Sequence, residues 1–145
     1  MYDSILVATD GSDDASVAVE HAVALADRLE VPLYGVAVVE TRREYDNAIV
    51  DPETVEKRLR ERAASTLEEI ETRAEAADVP LETAIRTGIP HEEIIAYGED
   101  HDVGVLVVGA RGRSSFRRTL LGSTVDAVVR LSPIPVLVVG ADGDR

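Results

Sequence analysis

The sequence predicts a doubly wound α/β domain, in which a parallel sheet carries helices on both faces. Three observations predict it. Short apolar runs alternate with longer segments of helical periodicity, giving the order β-α-β-α-β-α-β-α-β. Most of the runs are continuously apolar, as strands covered on both faces must be. The 145 residues contain no linker and no internal repeat, a length suited to a single domain spanning residues 1–145.

The elements follow in order. Residues 4–9, SILVAT, form an apolar run ending at Asp10-Gly11, a buried strand and then a tight turn. Ser12 is an N-cap, with Asp13 and Asp14 in the first turn, where the helix dipole favours acids. Both acids are expected on a solvated face, as are Glu68 and Glu69. Ala15, Ala18, Val19, Ala22, Val23, Leu25, Ala26 and Leu29 recur at helical spacing and mark one broad apolar face. Residues 32–39, PLYGVAVV, are the second strand, and residues 40–50 are polar and irregular. Asp51-Pro52 then supplies a cap and a proline at the first helical position. The charged helix that follows, to about residue 78, buries one narrow stripe from Val55 to Ala77. Residues 81–86 are a short third strand, and residues 87–90 a turn. A short helix covers about 91–100, with His91 packed at its start and His101 on the surface beyond it. Residues 103–108, VGVLVV, are the most apolar strand. A last helix over residues 123–131 points Ala127, Val128 and Leu131 inward, and Pro133-Ile134-Pro135 breaks the chain before a strand at 136–139.

Composition removes several function classes. No apolar run approaches the roughly 18–20 residues that cross a bilayer. The N-terminus shows no basic n-region and no small-residue cleavage site, so the expected location is the cytoplasm. Without cysteine there is no disulfide scaffold, thiolate zinc site or cysteine nucleophile, and three scattered histidines argue against a histidine metal site. Acids outnumber bases 28 to 15, for a formal net charge of -13, and Lys57 is the sole lysine. Such a field repels nucleic acid and anionic membrane. It suits a halophilic cytoplasm, where salt at molar levels screens self-repulsion to about 3 Å, or an ordinary acidic protein kept soluble by charge. The scarcity of lysine favours the halophilic reading.

One stretch departs from this acidity. Residues 109–124, GARGRSSFRRTLLGST, hold three glycines, four arginines and no acid. Gly109 and Gly112 follow the most apolar strand, where glycine permits close backbone approach to a phosphate. Gly122-Ser123-Thr124 opens a helix whose free N–H groups and dipole favour an anion. Arg111, Arg113, Arg117 and Arg118 add positive charge, although arginines also pair with nearby acids. In doubly wound sheets ligands bind beyond the carboxyl ends of the strands, so a crevice shared by Thr9-Asp10-Gly11 and the Gly109 loop is the expected site. A Walker A loop would need Gly-Lys-Ser/Thr, and Lys57 is far away. The first strand is followed by TDGSDDAS, which is not the dinucleotide fingerprint and lacks the Ser-Gly-Gly loop of ATP pyrophosphatases.

The spacing G-x2-G-x9-G-S, with SILVATDGSDDA, GIPHEEIIAYGEDHDVGVLVVGARG and LLGSTVDAVVRLSPIPVLVV, resembles the universal stress protein family, in its ATP-binding subgroup, nearly end to end. The resemblance implies a Rossmann-like, five-stranded parallel sheet in the order 3-2-1-4-5. It implies ATP (or ADP or AMP), with Mg²⁺, held by Gly109, Gly112, Gly122 and Ser123 through backbone N–H groups, with Thr124 in the same turn. Arg111 counts among the site residues, but the grip is expected from the glycine and serine backbone, with the loop arginines supplying surrounding field or partner contacts. Asp10 would bond the nucleoside or help hold the ATP-bound ion, or else serve only an Asx turn. Ala8 and Thr9 would line the floor, and Val38 would meet adenine through its backbone. Departures are Arg113-Ser114-Ser115 where members often have further glycines, Thr124-Val125 in place of Val-Ser, and Gly104 where many members have Asp. The implied function is a nucleotide-dependent stress-response or signalling protein with weak or partner-dependent hydrolysis at most. The alternative is a dimeric interaction module that binds no nucleotide. The apolar last strand, residues 135–139, would join two copies into a homodimer, and a protein partner is also implied.

Overall fold

The computed structural model describes residues 1–40, 51–111 and 121–140. The elements run β1 (Ile5–Ala8), α1 (Asp13–Leu29), β2 (Leu33–Val39), α2 (Pro52–Ala77), β3 (Leu81–Thr87), α3 (Pro90–Asp100), β4 (Val105–Gly109), α4 (Ser123–Leu131) and β5 (Val136–Val139). The strands form one parallel sheet in the order β3-β2-β1-β4-β5.

β1 is central, with Ile5 in register with Leu33 on one side and Val105 on the other. Its side chains alternate between two cores. Ile5 and Val7 pack with Ala18, Val19 and Ala22 of α1 and with Ala63, Leu67 and Ile70 of α2. Leu6 packs with Ile94 and Tyr97 of α3 and with Val125 and Val128 of α4. Burial on both faces is why this strand reads as an unbroken apolar run.

Local chemistry sets the helix ends. The Ser12 hydroxyl accepts from the Ala15 amide at 3.2 Å, a cap worth about 1 kcal/mol. The Asp51 carboxylate accepts from the Glu53 amide, and Pro52 starts α2 where its missing N–H costs nothing. Both long helices close on a left-handed residue, Glu30 at φ 59° and Asp78 at φ 60°.

Two expectations about the core needed correction. Leu131 points outward, 62% exposed, because the buried face of α4 is Val125 and Val128. Each three-residue step along a helix drifts about 60° off the starting direction, so the second step carries Leu131 off the core face. β4 begins at Val105, two residues later than the apolar run suggests, because the Val103 amide closes the end of α3 on the Gly98 carbonyl. Gly104 has a steric role: a Cβ there would lie 2.6 Å from the Met1 carbonyl oxygen and 2.8 Å from the Tyr2 Cα. No helix among the described residues is long and apolar enough to cross a membrane.

Candidate functional site

The carboxyl end of β1 carries Ala8, Thr9 and Asp10. Ala8 is half-buried against the α3 and α4 side of the sheet. Thr9 is buried; its amide donates to the Val36 carbonyl at 3.0 Å, and its Oγ1 accepts from the Gly11 amide at 3.2 Å. Asp10 is exposed, and its Oδ1 accepts from the Ser12 amide at 2.9 Å, forming the Asx turn that leads into α1. The register between β1 and β2 ends at Ala8 and Val36, whereas β2 continues to Val39. Val38 therefore stands beyond the end of β1, paired with Arg86 on its other side.

The neighbouring strand end carries Gly109. A Cβ on it would lie 2.7 Å from the Asp14 carbonyl carbon and 2.8 Å from the Ala15 amide nitrogen. The backbone of the first turn of α1 thus sits directly on the end of β4, an approach only glycine permits. The chain continues through Ala110, whose amide donates to the Val139 carbonyl at 2.7 Å and whose carbonyl accepts from the Gly122 amide at 2.9 Å. That second bond holds the start of α4 beside the exit of β4. Gly122 caps α4 with extended backbone and no side-chain hydrogen bond, so Ser123, Thr124 and Val125 present first-turn amides with no capping side chain among the described residues. Ser123 is exposed and Thr124 half-buried. The ends of β1, β2 and β4 and the start of α4 thereby lie together along the carboxyl rim of the sheet. Of the expected site residues, Gly112 lies outside the described residues, as do Arg113, Arg117 and Arg118.

A profile of the universal stress protein family matches residues 1–140. The chain belongs to the universal stress protein family. It is 31% identical to universal stress protein MJ0577 of Methanocaldococcus jannaschii, over 96% of this chain and 95% of that one. The solved structure of MJ0577 superposes with a TM-score of 0.88 at 30% identity, covering 99% of each chain. Universal stress protein YxiE of Bacillus subtilis is 31% identical over 96% of this chain and 99% of its own. A universal stress protein solved in complex with cAMP aligns at 27% identity with a TM-score of 0.69, covering 95% of this chain and 96% of that one.

Within this universal stress protein the residue that sequence reasoning missed is Asp14. Expected on a solvated face, it is 4% exposed. Its Oδ2 accepts from both the backbone amide and Nε of Arg111 at 3.0 Å, and its Oδ1 accepts from Nη2 at 3.0 Å. The reason for the correction is steric and electrostatic together: the close seat of α1 on Gly109 carries Asp14 in against the carboxyl end of β4, and a buried carboxylate demands a cation. Arg111 accordingly turns its guanidinium into the protein. No local signal marks this pair, because its members are 97 positions apart.

Two histidines lie away from the rim. His91 is half-buried in the first turn of α3. His101, expected at the surface, is half-buried because its ring stacks on Tyr97 and Tyr34, at centroid distances of 4.2 and 4.7 Å. Its Nδ1 lies 3.0 Å from the Tyr97 carbonyl oxygen. Arg86 covers the Tyr97 ring at 4.9 Å and pairs with Glu93 and Asp100. Burial pushes the Tyr97 phenol above its ordinary pKa, as does the nearby Glu82 carboxylate, while Arg86 opposes the shift. This cluster ties β2 and β3 to α3 and belongs to the framework. Among the described residues no group of three or more His, Asp or Glu side chains is placed to hold a metal ion by itself.

Proposed function

We propose that this universal stress protein binds ATP, with Mg²⁺, in the crevice at the carboxyl ends of β1, β2 and β4, and that occupancy sets its choice of partner in a stress response. ADP or AMP would use the same site. The observation that carries the reading is the start of α4: a glycine cap, first-turn amides without a capping side chain among the described residues, and a tether to the exit of β4. Such a helix start suits phosphate oxygens. Ser123 and Thr124 add hydroxyl donors, and Gly109 with Gly112 lets the backbone come close. Asp10, exposed at the opposite lip, would face the ribose or the ion that accompanies the phosphates. Val38, standing past the end of β1, would present its backbone to the adenine edge over the Ala8 and Thr9 floor. The cAMP complex of a related universal stress protein supports an adenine nucleotide as the ligand class. The reading assigns no catalytic residue and includes weak or partner-dependent hydrolysis at most.

Nucleotide released by denaturing the purified protein, identified by mass, tests this reading. So does calorimetric titration with MgATP. Gly122→Val is expected to abolish saturable binding, because its side chain intrudes where phosphate meets the amides. Unchanged binding would move the site elsewhere, and wild-type protein that neither carries nor binds nucleotide would leave a nucleotide-free interaction module.

We also propose that β5 pairs with its own copy. It is an edge strand of the sheet, and Leu137 is 39% exposed beside a groove formed with Glu20, His21, Ala24, Leu25 and Arg28 of α1. Light scattering is expected to give a dimer mass, and a concentration-independent monomer would refute the pairing.

A further inference from the structure

We propose that Asp14 is the positioning residue of the nucleotide site, acting through Arg111, and that Arg111 is part of the frame instead of a grip on phosphate. The proposal rests on the nucleotide reading above and adds the device that sets the geometry of that site.

The bonds are unusual in what they hold together. One buried carboxylate takes the guanidinium fork and the backbone amide of the same residue, all at 3.0 Å. The Arg111 carbonyl accepts from the Ser12 hydroxyl at 3.4 Å. Both main-chain polar groups of Arg111 are therefore held by the first turn of α1, and so is its side chain. A pair between side chains alone leaves the backbone free to rotate. This arrangement orients the peptide planes on either side of Arg111, where the chain enters the glycine-arginine loop.

The neighbouring residue completes the joint. Ala110 is bonded to β5 through its amide and to the start of α4 through its carbonyl. Ser12, the α1 cap, is in turn bonded to Asp10. Ala110 and Arg111 thus connect the β1 turn, the β4 exit and the α4 start, the segments expected to contact phosphate and ribose. Positioning donors to within about 0.5 Å is what such a site requires.

The charge follows the geometry. The Arg111 side chain is 19% exposed and its Nε and Nη2 point at Asp14. Its positive charge is matched within the protein, and because both members hold the same joint, removing either is expected to act in the same direction, whereas a direct grip by Arg111 would make them act oppositely.

The test uses the full chain and MgATP titration calorimetry on Asp14→Asn, Asp14→Ala, Arg111→Ala, Arg111→Lys and Asp14→Asn/Arg111→Ala. Each is held well below its own melting temperature. Each single variant is expected to weaken binding about tenfold, about 1.4 kcal/mol, and the double variant by no more than the weaker single, since the two act as one unit. Arg111→Lys is expected to fail like Arg111→Ala, because an ammonium cannot reproduce the fork and restores charge only. If Asp14→Ala binds as tightly as wild type or tighter while Arg111→Ala weakens, Arg111 grips phosphate directly and the proposal is overturned. Unchanged affinities with lowered melting temperatures make the pair a stability element and overturn it too. Wild-type protein that binds no adenine nucleotide overturns the nucleotide reading itself, and this proposal with it. Wild-type binding with unaffected variants overturns this proposal alone.

Discussion

Replacing Gly109 by alanine tests how the site and the fold share one residue. The backbone atoms that a Cβ would meet are 2.7 and 2.8 Å away, with the Asp14 Cβ at 2.9 Å. Carbon atoms settle at about 3.5 Å, so the first turn of α1 must retreat by about 0.7 Å. These contacts are with main chain, so no side-chain rotation relieves them. Overpacking of this kind costs about 1–3 kcal/mol. In a chain of this size each kcal/mol lowers the melting temperature by about 2–4 °C, so Gly109→Ala is expected to melt about 2–12 °C below wild type. The same retreat lengthens the Asp14–Arg111 bonds from 3.0 Å past hydrogen-bonding distance. Nucleotide affinity is therefore expected to fall even at temperatures where the variant is fully folded. Gly140→Ala is the control, since among the described residues its Cβ would meet only the Ala110 Cβ, at 3.9 Å. It is expected to stay within about 0.5 kcal/mol of wild type. Thermal melts followed by circular dichroism decide the matter. A Gly109→Ala midpoint indistinguishable from that of Gly140→Ala would refute the claim that α1 is seated on this glycine.

Other consequences can be measured on the same material. The Tyr97 hydroxyl is buried without a hydrogen-bond partner among the described residues, so Tyr97→Phe is expected to be neutral or to stabilise by about 1 kcal/mol in urea titrations near neutral pH. A loss above that size would show a partner for the hydroxyl. Because burial raises this phenol above its ordinary 10.0, the protonated form is favoured in the fold. Its stabilising contribution is whole below pH 10 and is lost as pH rises through the higher folded value. Wild type is expected to lose stability in that alkaline window faster than Tyr97→Phe, and parallel pH profiles would refute the shift. With a net charge of -13, the melting temperature is expected to climb as potassium chloride rises from about 0.1 M to above 1 M and shortens the screening length to about 3 Å. A flat response would remove electrostatic self-repulsion as a determinant and with it the halophilic reading.

The elements of the fold were largely legible because their signals are local. An apolar run, a Ser12 or Asp51 cap and a stripe at helical spacing each fit within one or two dozen residues. The sheet order agrees with what the family resemblance implied. The placement of Thr9-Asp10-Gly11 and Gly109 on neighbouring strand ends also follows from the sheet order that the family resemblance implied. Leu131 was misread because nine residues of α4 are too few to fix the centre of its apolar face.

What the sequence by itself determined is this alternation of strands and helices, the family, and the concentration of glycine, arginine and hydroxyl groups after the fourth strand. Only the tertiary structure decided what several of those residues do. Gly109 makes room for the backbone of α1 as well as standing at the rim. Asp14 is an internal anchor, and Arg111 turns toward it. The physical reason is distance along the chain. Periodicity and capping depend on neighbours a few residues apart, whereas a close backbone approach and a buried ion pair arise only when β4 is laid beside β1 and the first turn of α1 is set down on its end.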